Sequence, residues 1–313
     1  MKFIADMKEH DHIIGHFFCK SKHSLKTRNG KTYFSLKLQD KTGLVDAKVW
    51  EITKDIQDFN EGEMIKIDAT ALAYNGDIQI KVIKIRRSQE GEYVLSDFIP
   101  TTKHNVDEMY EKVKAIIATI SNAKLRTLVE NILVKDDARA AALRSHSAAK
   151  QMHHSYMGGL LEHTLAVAEI CDFMSSRYRY VNRDLLMAGA LLHDFGKIYE
   201  LSPMPYNEYT DDGQMLGHII IGVEMIALEA AKIENFPREV ASLLKHLIIS
   251  HHGEYEFGSP KLPQTTEATL LHFADNMDAK LKTMEELFDS DTSPGPWVGY
   301  HKAFNRYLRK SDF

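Results

Sequence analysis

Cysteine is scarce: Cys19 and Cys171 are the only two in 313 residues, far apart and outside any CxxC pattern. That excludes a disulfide framework and a cysteine zinc site. Positive charge is not in excess either, since 39 Lys and Arg against 44 Asp and Glu leave a formal net charge of -5. A protein that coats nucleic acid through bulk charge is excluded, and any such contact must come from a local basic patch. No uninterrupted apolar run approaches the roughly 20 residues of a membrane span. The opening Met1-Lys2-Phe3-Ile4-Ala5-Asp6 also lacks the apolar core of a signal peptide. A reducing cytoplasm and no membrane partner are therefore expected. What the chain does have is 44% hydrophobic residues, enough for a real core, over a length that suits two domains.

Up to about Arg87 the hydrophobic pattern has period two. Phe34, Leu36 and Leu38 alternate with Tyr33, Ser35, Lys37 and Gln39, and Val45, Ala47 and Val49 alternate with Asp46, Lys48 and Trp50. Asp40-Lys41-Thr42-Gly43 and Asn75-Gly76 supply turn chemistry, and Ile78, Ile80 and Val82 form a last alternating run. Five short strands of this kind predict a small barrel. From about Val106 the spacing becomes helical and stays so. The last residues continue that reading, with Tyr300, Phe304, Tyr307 and Leu308 at i, i+4, i+7 and i+8, the stripe of a C-terminal helix that packs or contacts another subunit.

Of 16 histidines, ten lie between His146 and His272. His163 shares a helical face with Leu160, Val167, Ile170 and Met174, so it points inward. His193-Asp194 follows a helix capped by Asn182 and apolar nearly all round from Leu185 to Leu192, with Gly196 expected to end it. A carboxylate at a buried helix C-terminus opposes the helix dipole and demands a cation, either a metal or Lys197. His218 lies on one face with Ile221, Gly222 and Met225, and His251 with Leu244, Leu247 and Ile248. Asp275 aligns with Leu271 and Asp278 on a helix that Thr265 or Thr266 caps. Each inward histidine alone reads as an ordinary core residue, but together the set reads as a metal site. His252 is turned about 100° from His251, so it is left between a metal ligand, a phosphate contact and a supporting residue. His246 and His272 read as structural. Imidazole and carboxylate donors suit Mn²⁺, Fe²⁺, Co²⁺ or Ni²⁺ better than an all-oxygen Mg²⁺ site, and Mn²⁺ is favoured.

The order His163, His193-Asp194, His218, His251, Asp275, with His193-Asp194-Phe195-Gly196-Lys197, His251-His252-Gly253 and Ala274-Asp275, resembles the HD superfamily of metal-dependent phosphohydrolases over Met152 to Asp278. The resemblance implies one ion on His163, His193, Asp194 and Asp275, and a second on His218 and His251 with Asp194 bridging. Two ions about 3.5–4 Å apart activate a water and clamp the phosphoryl oxygens during in-line displacement. Asp194 and Lys197 are then the catalytic candidates, Lys197 either offsetting phosphate charge or pairing with Asp194. Arg144, His153 and His154 are weaker candidates for the mouth of the site.

Lys20 to Lys31 reads as a basic, glycine-containing loop between the first two strands, in which Lys20, Lys22, Lys26, Arg28 and Lys31 are placed to track phosphates. The run Leu38 to Trp50 resembles OB-fold modules of the tRNA-anticodon-binding type, in which this loop and the second and third strands bind single strands. Tyr33 and Trp50 would then be stacking platforms. The fold expected is multidomain α and β: an N-terminal five-stranded OB-type barrel over 1–90, a connector with leading helices over 91–145, and an all-α HD bundle with a C-terminal helix over 146–313.

An OB module ahead of an HD domain, with Tyr156-Met157-Gly158-Gly159-Leu160-Leu161-Glu162-His163-Thr164 leading into the first ligand, is similar to the YhaM family of bacterial 3′-to-5′ exoribonucleases along nearly the whole chain. That resemblance implies Mn²⁺-dependent release of nucleoside 5′-monophosphates from single-stranded RNA, with single-stranded DNA an open alternative, and the barrel feeding in the 3′ end. Two other functions stay open on the residues themselves. One is a small-nucleotide or cyclic-dinucleotide phosphohydrolase with a regulatory barrel, the other a non-catalytic RNA-binding protein with a structural metal. Homo-oligomerisation is also left open.

Overall fold

The computed structural model describes residues 2–27, 29–74, 77–150 and 154–311, so Arg28 and His153 lie outside the described residues. The chain divides into two compact units, Met1–Thr101 with Met204–Tyr206, and Thr102–Pro203 with Asn207–Phe313.

The first unit is a closed five-stranded barrel of β1 (His12–Lys26), β2 (Thr32–Asp40), β3 (Gly43–Val49), β4 (Met64–Tyr74) and β5 (Asp77–Arg87), in the order β1-β2-β3-β5-β4. This is an OB-like order. Strand β1 serves both sides: His12–Phe18 pair with β4, Phe18–Lys26 pair with β2, and the register shifts between Cys19 and Ser21 where the roles change. A bulge at such a corner bends the strand and lets the sheet close. Parallel pairing of Asp46–Lys48 with Gln79–Lys81 completes the ring. Alternation then does what period two demands, and Phe17, Cys19, Leu36, Leu38, Ala47, Val49, Ile65, Ile67 and Ile80 fill the interior.

The expected basic loop is mostly strand. β1 runs on to Lys26, which pairs with Thr32, so Lys20, Lys22 and Lys26 are strand residues. Polar side chains extend a strand without difficulty where its outer face meets solvent.

The second unit contains α1 (Val106–Ala118), α2 (Ala123–Leu133), α3 (Asp137–Ser145), α4 (Gly159–Ser175), α5 (Arg183–Leu192), α6 (Lys197–Glu200), α7 (Asp211–Met215), α8 (Gly217–Ala231), α9 (Arg238–Ser250) and α10 (Thr266–Ser290). Helix α5 is the axis of the bundle, with every residue from Leu185 to Leu192 buried. Asn182 caps it by accepting from Leu185 N–H, and Thr265 caps α10 by accepting from Ala268 N–H. Gly196 does not stop α5 by a left-handed turn. Its φ is -57°, and its role is closeness, because a Cβ there would stand 2.1 Å from the His218 carbonyl oxygen at the start of α8. Among the described residues no helix is long and apolar enough to cross a membrane.

The C-terminal helix and the all-α description are both corrected here. Residues Trp297–His301 (β6) and Arg306–Arg309 (β7) form an antiparallel hairpin, and Tyr300 pairs with Tyr307 across it. Tyr300, Phe304, Tyr307 and Leu308 therefore do not make a helical stripe, and Leu308 alone of the four is buried. Gly299 at φ 94° and Asn305 at φ 50° set the backbone against a helix.

Candidate metal centre

The polar residues that the bundle cannot avoid burying come together around Asp194. His193 and Asp194 follow α5, and the chain turns there because the His193 ring closes the helix: Nδ1–H donates to the Ala190 carbonyl at 2.8 Å. Helix α9 ends in the same way, with His251 Nδ1–H donating to Ile248 at 2.7 Å. Each ring satisfies a carbonyl that the helix end leaves without an intrahelical partner and turns its Nε2 towards the cluster. His163 Nδ1–H donates to Asp278 Oδ2 at 2.6 Å, His218 Nδ1–H to Glu200 Oε1 at 2.9 Å, and His252 Nδ1–H to the Phe257 carbonyl at 2.8 Å. All five partners are oxygens that only accept, so all five rings carry their proton on Nδ1. Tying one ring nitrogen to an oxygen is the usual way a metal-ligating histidine is oriented.

Two groups of donor atoms result. His163 Nε2 lies 3.1 Å from His193 Nε2, 3.4 Å from Asp194 Oδ2 and 3.2 Å from Asp275 Oδ1. On the other side Asp194 Oδ1 lies 3.4 Å from His218 Nε2 and 3.5 Å from His251 Nε2, and the His252 ring packs against His251 with centroids 4.4 Å apart. Ligand bonds of about 2.1 Å place neighbouring donors about 3.0–3.4 Å apart, so both spacings fit a divalent ion. The second group adds a sharper observation. Asp194 Oδ1, His218 Nε2 and His251 Nε2 are buried with no hydrogen-bond partner among the described residues. Three orphaned polar atoms facing one another are costly unless a cation joins them. Asp194 gives one oxygen to each group.

The charges are arranged to keep carboxylates ionised and rings neutral. Burial opposes the charge on Asp194, but Lys197 and His193 outweigh it and hold the carboxyl well below its usual range. Lys197 Nζ sits 2.6 Å from Asp194 Oδ2, which realises the ion-pair alternative for that lysine. Burial likewise opposes Asp275 and Asp278, and the histidines beside them lower both. His193 is pushed down to about 4 by burial, and His252 to about 4 by burial and by His251 and His218. His163 goes the other way: burial opposes its charge, but Asp194, Asp275 and Asp278 raise it above the ordinary imidazole value. A ligand must be neutral, so an ion bound there displaces that proton.

Asp278 and Glu200 were missed as working residues. The i+3 spacing from Asp275 put Asp278 on the right face, whereas nothing local marked Glu200, which takes both the backbone N–H and the ring of His218 at 2.9 Å. His154, a weak candidate for the mouth, is instead buried behind the cluster, its Nε2 3.0 Å from Asp278 Oδ2 and its Nδ1 3.0 Å from the Tyr156 hydroxyl. Arg144 pairs with Asp107 at 2.7 Å. His272 and His246 brace loops, one bonding the His251 carbonyl and the other accepting from Gln264 N–H.

In the barrel unit Tyr33 and Trp50 stack on each other at 4.7 Å and 25°, with Trp50 39% exposed. Lys20 and Lys26 are exposed, while Lys31 pairs with Glu51 at 3.0 Å and Lys22 turns in over Phe59, its Nζ 4.0 Å from the ring centroid. Tyr33 and Trp50 thus pack on each other at the surface, and of the basic set Lys22 is turned inward.

The HD-domain family profile matches residues 160–280, which span both donor groups. The 3′-5′ exoribonuclease YhaM of Geobacillus sp. (strain WCH70) is 35% identical over 272 residues, 86% of this chain and 82% of that protein. The chain belongs to the YhaM exoribonuclease family. Membership makes it a hydrolase, and the two units of the YhaM-family chain are the OB-like barrel and the helical HD domain described above. Among solved structures, the second OB-fold domain of replication protein A from Methanococcus maripaludis matches 30% of this chain and 97% of its own, at 14% identity and a TM-score of 0.24.

Proposed function

We propose that the protein is a metal-dependent 3′-to-5′ exonuclease that removes nucleoside 5′-monophosphates from single-stranded RNA. The observation that carries the reading is Asp194, a buried carboxylate whose two oxygens face two separate sets of imidazole nitrogens. One set is His163 and His193 with Asp275, the other His218 and His251 with His252 alongside. These residues would hold two divalent ions, with Mn²⁺ the best match to mixed nitrogen and oxygen donors. Such ions supply an activated water and neutralise phosphoryl charge.

The rest of the work falls to the protein. Lys197 keeps Asp194 ionised by its 2.6 Å contact, so both oxygens remain available as donors. His252, neutral at physiological pH, accepts at Nε2 beside the second group. A cavity of 510 Å³ opens on Asp194, Asp275 and His163, a size suited to a small ligand. Hydrolysis there breaks the bond between phosphorus and the 3′ oxygen of the penultimate nucleotide. The phosphate stays on the released nucleotide, and the shortened strand keeps a 3′ hydroxyl. The barrel supports a strand substrate, because Tyr33 and Trp50 present aromatic surface and Lys20 and Lys26 present charge.

Incubating 5′-end-labelled single-stranded RNA with the enzyme and Mn²⁺ is expected to give a ladder shortening from the 3′ end, and Asp194→Ala to abolish it. Shortening that survives Asp194→Ala, or none in the unaltered enzyme, refutes the reading. Turnover of free nucleotides without attack on oligonucleotides points instead to a small-nucleotide phosphohydrolase.

A further inference from the structure

One wall of the cavity over the metal cluster is the turn between β6 and β7, which contributes Ala303 and Phe304. The turn is well held. Tyr300 donates its hydroxyl proton to Asn305, Arg306 Nε donates to the Phe304 carbonyl at 2.9 Å, Leu308 is 4% exposed, and Lys310 pairs with Asp291 at 3.1 Å. Phe257 brings a second ring to the same cavity, 57% exposed. Lys280 lines it too, an exposed lysine that makes no ion pair among the described residues. Lys197, by contrast, is committed to Asp194.

Two aromatic rings, Phe257 exposed and Phe304 half-buried with its ring 5.5 Å from that of His301, thus border the same cavity as an unpaired cation and the carboxylates of Asp194 and Asp275. They are the complement of a nucleotide: a flat apolar base and an anionic phosphate. Stacking on an aromatic ring tolerates any base, because every base offers a π-face. An enzyme that takes off successive nucleotides of every kind needs that tolerance at its terminal subsite.

We propose that Phe304 stacks the base of the 3′-terminal nucleotide while Lys280 holds its phosphate, so that the C-terminal hairpin recognises the unit to be removed. The proposal rests on the exonuclease reading above and names the subsite within it.

The test compares two single-stranded RNAs that differ only in whether the 3′-terminal nucleotide carries its base, and measures kcat/KM for removal of that first unit. The unaltered enzyme should prefer the base-bearing end by about tenfold, within the range that base stacking on an aromatic side chain contributes. In Phe304→Leu, which keeps apolar bulk without the ring, the ratio should fall towards one, and in Phe304→Trp it should be kept. A leucine variant that retains the preference overturns the proposal. So does an equal loss on both RNAs, which marks a structural role, and so does an unaltered enzyme that trims both ends equally well. An unaltered enzyme that trims neither RNA overturns the exonuclease reading, and the subsite falls with it.

Discussion

Replacing Asp278 by asparagine removes one negative charge and almost no shape, which makes it a sensitive probe of how the cluster is tuned. Asp278 Oδ2 receives two ring nitrogens, His163 Nδ1 at 2.6 Å and His154 Nε2 at 3.0 Å. Asp278 only accepts, so His154 donates to it from Nε2, and His154 Nδ1 lies 3.0 Å from the Tyr156 hydroxyl. An amide oxygen can accept both bonds, so the rings are expected to stay where they are. What is lost is the charge that makes the bond to His163 strong and its Nε2 electron-rich, since charge-assisted bonds are about twice as strong as neutral ones. Removing such an outer partner typically weakens metal binding by about 10–100-fold, or about 1.4–2.7 kcal/mol at 1.36 kcal/mol per decade. The measurement is a Mn²⁺ titration of the RNA-trimming rate. The half-saturating Mn²⁺ concentration should rise by about 10–100-fold in Asp278→Asn, with the rate at saturating Mn²⁺ close to that of the unaltered enzyme. Asp278→Ala should also lose folding stability, because it strands the buried His163 N–H at a cost of about 1–3 kcal/mol. An asparagine variant with an unchanged Mn²⁺ requirement refutes the reasoning, whether its activity is intact or lost.

Two further outcomes follow from packing and charge. In Gly196→Ala the new methyl meets the His218 carbonyl oxygen at 2.1 Å and the Gly222 nitrogen at 3.0 Å, so α8 must shift. A cost of about 1–3 kcal/mol in urea unfolding is expected, together with loss of one of two bound Mn²⁺ ions by metal analysis, and a variant that keeps both ions at full stability counts against the role given to this close approach. Glu229 on α8 lies 2.8 Å from Arg139 of α3 and 2.8 Å from Lys232, with its own side chain 6% exposed. Burial pushes Glu229 up, but Lys232 and Arg139 outweigh it and hold it below the ordinary 4.5. A depressed carboxyl contributes stability above its unfolded value and loses it as pH falls through the folded one. The difference between the unaltered protein and Glu229→Gln, about 1.5–3 kcal/mol at pH 7 for charge-assisted hydrogen bonds, should therefore shrink as pH drops below about 5, and a difference independent of pH removes the ion pair as its cause.

The parts of the fold and site that were legible in the sequence share a physical origin: a local conflict between a residue and its pattern. His163, His218 and His251 stood out because each is polar on an apolar helical face, and Asp194 because a carboxylate at a buried helix end requires a cation. The barrel strands stood out because period two is a property of neighbours. That Asp194 serves two groups came from the family resemblance, and the geometry now gives it the orphaned Oδ1. Where the sequence misled, one spacing served two structures. Tyr300 and Tyr307 are two helical turns apart in a helix, but seven residues also span a hairpin, and here the two rings meet across strands at 5.6 Å. Gly299 and Asn305 were the available warning.

Residues whose role is a relation between distant segments left at most a place on a helix face, as Asp278 did, and no sign of the role itself. Glu200 orients His218 from 18 residues away, and Asp278 orients His163 from 115 residues away. Phe304 reaches the cavity over Asp194 and Asp275 only because the tail is a hairpin and not a helix. The proposed ligand set is written in helix faces and helix ends, where 3.6-residue periodicity makes chemistry visible. The residues that tune and feed that set are placed by tertiary packing, so they can change without disturbing any local pattern. Variation in metal affinity and in preference for the terminal nucleotide between members of this family is therefore expected at positions such as Asp278, Glu200 and Phe304, with the His193-Asp194 core left unaltered.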